Sequence, residues 1–462
     1  MKDILLINPT SSSEQNLPPP LSLIYLAGFL EKHKYSVSIL DLVIDPKSDE
    51  EIINRIKEVN PKKIGFSCMS LHVPFIKRIT NKIKENFKVP IIIGGIHPTA
   101  LPEKSVEEMK DVDLFVLGEG ELTLLEIMQD KPLKKIKGLA YRSKGIKVNP
   151  KRDYIPNLDD IPFPARHLID LRKYTLGLDW EGRKPATIMF TSRGCPFDCI
   201  YCASKVMWTR KIRFMSAKKV LEEIDYLIKK YGVREILFYD DHFTFNRGRL
   251  KEICNELIKR KYDLAWCCLS RVDIVDSDMI RLMKRAGCHM ISFGVESGSQ
   301  TILDAMQKNV KVEKILNAFK ICREVGMNTK ASIIFGGPKE SFRTVEETKR
   351  VLKKILPDYL WLFIMTPLPG TKLYQLHKES GLGSENWEMY DQTTYNVFYD
   401  TDLNYKDLRK IVSDAYKGYY FSVGYMLSQI RKLSVRKINT GLKIMKYIVP
   451  ALKYSKSGRE KK

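Results

Sequence analysis

No run in this chain approaches the roughly 18 apolar residues that a membrane-spanning helix needs, and the best candidate, Leu21–Leu30, is half as long. The apolar stretch within Met1–Pro9 is too short for a secretory signal, so a cytoplasmic protein is expected. Nine cysteines, an odd number in a long chain without such a signal, argue against a disulfide framework. No Gly-x-Gly-x-x-Gly follows the first apolar run, which argues against a nicotinamide or flavin dinucleotide. Acidic side chains are scarce beside basic ones, 55 against 78, leaving a formal net charge of +23. Apolar residues are not scarce. A hydrophobic content of 44% over 462 residues supplies cores for two or three domains.

Three of the cysteines fall within eight residues, in Thr191-Ser192-Arg193-Gly194-Cys195-Pro196-Phe197-Asp198-Cys199-Ile200-Tyr201-Cys202, directly after an apolar run. A structural zinc site takes four protein ligands, yet no fourth cysteine lies in this loop. Cys254, Cys267 and Cys268 fall inside expected elements of their own. Three thiolates with one position open suit an iron–sulfur cluster that keeps one iron free for a ligand. Such a cluster oxidises readily, so reducing and anoxic surroundings are expected.

The Cys-x3-Cys-x2-Cys spacing, with Tyr201 just before the third cysteine, resembles the signature of the radical SAM enzymes. The resemblance implies a 4Fe-4S cluster on Cys195, Cys199 and Cys202, with S-adenosylmethionine at its open iron. One electron from the cluster then cleaves S-adenosylmethionine to a 5′-deoxyadenosyl radical, which takes a hydrogen atom from a substrate. It also implies a low-potential electron donor such as ferredoxin or flavodoxin. Tyr201 is expected to pack on the adenine.

Residues 1–135 alternate short apolar runs with amphipathic stretches. The runs Ile4–Ile7, Val37–Leu40, Ile64–Phe66, Ile91–Ile93 and Leu114–Leu117 predict an α/β domain with a doubly wound, five-stranded parallel sheet. Ligands of such sheets sit at the carboxyl ends of the strands, here Asn8-Pro9-Thr10, Asp41, Ser67-Cys68-Met69, Gly94-Gly95-Ile96-His97 and Gly118-Glu119-Gly120-Glu121. A domain of this kind before a radical SAM motif resembles the cobalamin-binding domain of the cobalamin-dependent radical SAM enzymes. By that resemblance Ser67, Gly94 and Gly95 line the slot for the nucleotide tail of cobalamin, and Gly118 belongs to a segment typical of the family. One departure stands out: the Asp-x-His-x-x-Gly loop that supplies an axial histidine in many cobalamin proteins is replaced by Asn8-Pro9-Thr10-Ser11-Ser12-Ser13. Cobalamin would then have no histidine on its lower face from that loop. His97 reads as a turn histidine bonded nearby rather than a cobalt ligand.

Residues 136–180, with Lys-Lys pairs and Pro156, Pro162 and Pro164, read as a linker. A second alternation over 181–385 places strands at Ala186–Phe190, Glu235–Tyr239, Leu264–Cys268, Met290–Gly294, Ala331–Phe335 and Leu360–Met365. Six β/α repeats predict a partial barrel with its site at the carboxyl ends of the strands. S-adenosylmethionine carries an ammonium, a carboxylate and a ribose diol. Asp240 or Asp241 is the candidate for the ammonium, Arg271 for the carboxylate, and Ser270 or Glu296 for the ribose.

Residues 386–462 form a basic, helix-like tail. From Arg431 to Lys462 it has eleven lysines and arginines against one glutamate. A solvated basic face is the plain reading, and peripheral contact with an anionic membrane, serving a lipid-linked substrate, is the functional one. No nucleic-acid-binding module is recognisable. The resemblance implies methylation of an unactivated carbon of a small or lipid-linked substrate. A cyclase or rearrangement without methyl transfer, as in the anaerobic magnesium-protoporphyrin cyclase group, uses the same sites, and a cobalamin-binding sensor is the non-enzymatic alternative.

Overall fold

A computed structural model describes residues 1–10, 18–177, 182–390 and 401–430. The basic run 431–462 and the Ser11–Ser13 stretch therefore lie outside the described residues.

The first sheet contains β1 (Ile4–Asn8), β2 (Val37–Asp41), β3 (Ile64–Ser67), β4 (Ile91–Gly94), β5 (Leu114–Val116), β6 (Leu139–Arg142) and β7 (Ile146–Val148), in the order β2-β1-β3-β4-β5-β6-β7. The five expected strands are parallel, and runs such as Ile4–Ile7 and Ile91–Ile93 are buried because helices cover both faces. β6 and β7 add an antiparallel hairpin at the edge, in a stretch whose composition reads as linker. All three residues of β7 are exposed, so no alternation of apolar and polar residues marks it.

The second sheet begins with β8 (Ala186–Met189). A small ribbon of β9 (Ser192–Arg193) and β10 (Arg213–Phe214) follows, then β11 (Glu235–Phe238), β12 (Ala265–Ser270), β13 (Cys288–Glu296), β14 (Asn328–Phe335) and β15 (Tyr359–Ile364). The order β15-β14-β13-β12-β11-β8, all parallel, is the expected partial barrel. Its helices are cut out by their own ends. Ser216 caps the helix Ala217–Tyr231 by accepting from Lys219 N–H, and Gly232 ends it in the left-handed conformation. Between them Val220, Leu221, Ile224 and Leu227 form the buried stripe.

The chain after β15 does two jobs. Tyr374, Trp387 and Tyr390 pack into the core of the first sheet. The helix Tyr405–Tyr420 then covers the barrel edge, where Leu360 N–H donates to the Tyr420 hydroxyl at 3.0 Å and Leu362 N–H to the Tyr416 hydroxyl at 2.9 Å. Among the described residues no helix is long and apolar enough to cross a membrane.

Candidate active site

The cysteine loop leaves β8 at the carboxyl end of the barrel and is tied down on several sides. Gly194 adopts φ +108°, and a side chain there would meet the Lys211 carbonyl at 2.5 Å, so only glycine fits. Ile200 N–H donates to the Met306 carbonyl at 3.1 Å, and Leu373 N–H to the Ile200 carbonyl at 2.9 Å. Asp240 anchors the loop's start: its buried carboxylate accepts from Thr191 N–H (2.8 Å), the Thr191 hydroxyl (3.0 Å) and the Ser192 hydroxyl (2.6 Å).

Burial pushes the Cys195 thiol up to about 11 and the Cys202 thiol to about 12. Binding iron at neutral pH would therefore displace protons. Sulfurs on one tetrahedral zinc ion would lie about 3.8 Å apart. Among the described residues, the one Cys, His or acid trio whose ligand atoms all fall within 4.8 Å is Glu235, Cys267 and His289, not the loop cysteines. The wider spread of the three thiols fits a cluster better than a single ion. The Glu235 trio lies toward the amino ends of the barrel strands, and its carboxylate already accepts from Gly182 and Arg183 N–H and bonds His289 at 2.7 Å.

The other candidates divide into two groups. Ser270 bonds Thr244 at 2.6 Å. Arg271, 2% exposed, holds Asp273 through two bonds of 2.9 Å and donates to the Lys308 carbonyl at 3.0 Å, with its guanidinium 3.5 Å from the centre of the Phe197 ring. With Asp240, these two are hydrogen-bonded into the wall rather than presented to a ligand. By contrast, Asp241 is exposed and accepts from the Ser204 hydroxyl beside Cys202. Glu296, in the left-handed conformation at φ +66°, is buried and paired with the buried Lys308 at 3.0 Å. Tyr201 packs with Ile200, Ile302, Met306, Met365 and Leu373.

Two further residues stand beside the candidates, and of these only His242 carries a sequence signal, as part of the polar strand end Asp240-Asp241-His242. His242 places Nε2 3.2 Å from Cys195 Sγ. Burial, with Lys308 and Arg271 nearby, pulls its imidazole down to about 3, so the ring is neutral. Lys308, placed against Glu296, lies in a helix-to-helix turn where lysine is unremarkable.

On the facing domain, strand register brings the expected slot together. Ser67 pairs with Gly94, and Gly94 with Val116, two residues before Gly118. All are partly exposed except Val116, and the space beside Gly118 is open. Gly95, at φ +115°, sits so close to Cys68 that a side chain would lie 2.7 Å from the Cys68 carbonyl. Of these glycines only Gly118 borders open space, whereas Gly95 is taken up by close packing on Cys68 and Gly94 by contact with Val116. His97 is fully buried, bonding Ser70 at 3.0 Å and Glu108 at 3.2 Å, and Glu108 also accepts from Trp387 Nε1–H at 2.9 Å. It is structural.

The two sites are joined. Arg193 and Arg213, register partners on the β9–β10 ribbon, reach across to the first domain. Arg193 donates to Glu119 at 2.9 Å and Glu121 at 2.6 Å, while Arg213 donates to Glu119 at 2.7 and 3.1 Å. Burial raises the Glu119 carboxyl, but the bonds and charges of Arg213 and Arg193 outweigh it and hold the group below its usual range. Glu119 follows Gly118 and Arg193 precedes Gly194-Cys195, so this clamp links slot to cysteine loop. Nearby, the position of a Gly370 side chain would be 2.9 Å from Val206 and 3.1 Å from Ala100, so loops of both domains meet there.

Comparison with known proteins agrees with both halves. Residues 12–128 match the B12 binding domain and residues 189–352 the radical SAM superfamily. The chain is 32% identical to an uncharacterised methyltransferase of Pyrococcus horikoshii, over 93% of this chain and 95% of that protein. It is 28% identical to the anaerobic magnesium-protoporphyrin IX monomethyl ester cyclase of Rubrivivax gelatinosus, over 96% of this chain and 80% of the cyclase. The cobalamin-dependent S-adenosylmethionine radical enzyme OxsB, solved with aqua-cobalamin and S-adenosylmethionine bound, shares the fold with a TM-score of 0.74 at 18% identity, covering 100% of this chain and 74% of OxsB. With its cysteine loop clamped to the strand ends of a B12-binding domain, the chain belongs to the radical SAM enzymes that carry that domain at the amino end.

Proposed function

We propose that this protein is a cobalamin-dependent radical SAM methyltransferase acting on an unactivated carbon. The observation that carries the reading is the clamp of Glu119 and Glu121 on Arg193 and Arg213, which sets the cysteine loop beside the slot at Ser67, Gly94, Gly95 and Gly118. When bound, a 4Fe-4S cluster with S-adenosylmethionine supplies a hydrogen-abstracting radical, and cobalamin supplies the methyl group.

The chain's own residues bind and aim. Cys195, Cys199 and Cys202 would hold the cluster. Asp241, and Glu296 with its partner Lys308, offer charged groups of both signs for the polar ends of S-adenosylmethionine, and Tyr201 an apolar face for its adenine. Asp240, Ser270 and Arg271 serve that pocket by fixing its wall through the bonds described above. Buried ion pairs between the domains hold the geometry.

The substrate would be a small or lipid-linked molecule, with electrons from a ferredoxin or flavodoxin. Phe421, Val423, Met426 and Leu427, each 46% exposed or more, form an apolar surface directly before the basic run from Arg431. That juxtaposition favours peripheral contact with an anionic membrane. The likeness to the magnesium-protoporphyrin cyclase favours a second reading, cyclisation without methyl transfer.

The test is incubation of anaerobically reconstituted protein with cobalamin, a low-potential reductant, methyl-labelled S-adenosylmethionine and pools of candidate substrates. Methyl transfer predicts 5′-deoxyadenosine, S-adenosylhomocysteine and label in a product. Deoxyadenosine without transferred label would favour the cyclase reading, and absence of deoxyadenosine with every pool would overturn both.

A further inference from the structure

We propose that His242 is a positioning residue for the cluster: its Nε2–H donates a hydrogen bond to the Cys195 thiolate and raises the reduction potential of the cluster held there. The inference rests on the cluster reading above. Its geometric basis is the 3.2 Å separation of Nε2 and Sγ. A metal-bound thiolate carries no proton and only accepts, so the hydrogen must sit on Nε2.

The ring is held in that orientation from the side. Phe197, itself within the cysteine loop, meets the imidazole edge to face at 5.3 Å and 90°. Arg271 lies over the same phenyl ring at 3.5 Å, and Asp273 and the Lys308 carbonyl fix the guanidinium. The buried Arg271 thus acts through Phe197 on His242. The second ring nitrogen, Nδ1, is buried without a hydrogen-bond partner among the described residues, so the contact to sulfur is the polar interaction that orients the ring.

Hydrogen bonds to the sulfurs are among the factors that set the potential of an iron–sulfur cluster. The reduced cluster carries one more negative charge, spread over its sulfurs, and a donor stabilises that state more than the oxidised one. A site that must accept an electron from a biological donor gains from this. His242 lies beside Asp241, shortly after the end of β11.

The test is a redox titration of the reconstituted full chain, followed by the electron paramagnetic resonance signal of the reduced cluster. It compares wild type, His242→Phe, which fills the space without a donor, and His242→Gln, whose amide N–H occupies nearly the position of Nε2. The exposed His167 provides His167→Phe as a control. With iron near four per chain throughout, the midpoint of His242→Phe should fall to more negative potential while His242→Gln and the control stay close to wild type. Equal midpoints for wild type and His242→Phe would overturn the proposal. If His242→Phe fails to hold iron, His242→Asn, whose shorter amide does not reach the sulfur, replaces it. A midpoint for Asn below that for Gln is then expected, and equality overturns the proposal. A wild type without iron would instead overturn the cluster reading on which this one stands.

Discussion

Glu340 shows what burial does to one carboxyl. It is 1% exposed behind the Gly336-Gly337 turn, and burial pushes it from an ordinary 4.5 up to about 7 against hydrogen bonds from Thr344 and the two glycines. The native state therefore binds this proton more tightly than the unfolded chain. The resulting stabilisation is complete below pH 4.5 and is lost as pH rises through 7, a change of about 3 kcal/mol. Glu340→Gln removes that slope. Its melting temperature relative to wild type should climb between pH 5 and pH 8, and a difference that stays flat with pH would contradict the assignment. Burial raises the Asp240 carboxyl too, against Arg249 and three bonds accepted from Thr191 and Ser192. Asp240→Leu should cost about 3 kcal/mol and lower iron retention, because three buried donors lose their acceptor and the start of the cysteine loop is freed. Sequence alone identified Asp240 as a strand-end acid but not this use, because its partners are set by the pairing of β8 with β11.

Elements were the most legible level. Five parallel strands before residue 118 and six after 185 follow from apolar runs between amphipathic helices, and the helix ends at Ser216 and Gly232 follow from capping chemistry. The hairpin β6–β7 was not legible, since Lys-Lys pairs and an exposed final strand erase the period-2 signal. Nor was the role of the tyrosines in Ala415–Phe421, which mark a helix but not what it covers. Tyr416 and Tyr420 satisfy two backbone donors on β15, the barrel's open edge. Replacing both with Phe should destabilise by about 1–3 kcal/mol in urea unfolding. A cost near zero would mean that water satisfies that edge equally well.

At the scale of the whole molecule, the proposed cluster site was legible, because three cysteines crowded into one loop are visible in sequence. The clamp was not, because Glu119 and Arg193 are 74 residues apart. Both lie within segments already singled out, and the signal was unread only because each segment was assigned to its own cofactor. Removing one charge from this buried group leaves an uncompensated cation, so Glu119→Gln should cost about 3–5 kcal/mol. Glu58→Gln, which breaks an exposed pair with Arg55, should cost less than about 0.5 kcal/mol. Equal effects in chemical denaturation would show that the clamp is not what joins the domains.

The central claim is that one chain brings a three-cysteine cluster and a cobalamin slot together. Its most direct test is anaerobic reconstitution with iron, sulfide and hydroxocobalamin, followed by iron counting and ultraviolet–visible spectra of wild type and Cys199→Ala. Iron near four per wild-type chain, lost in the variant while cobalamin absorbance is retained by both, is the predicted result. Iron without retained cobalamin, or zinc in place of iron, would contradict it.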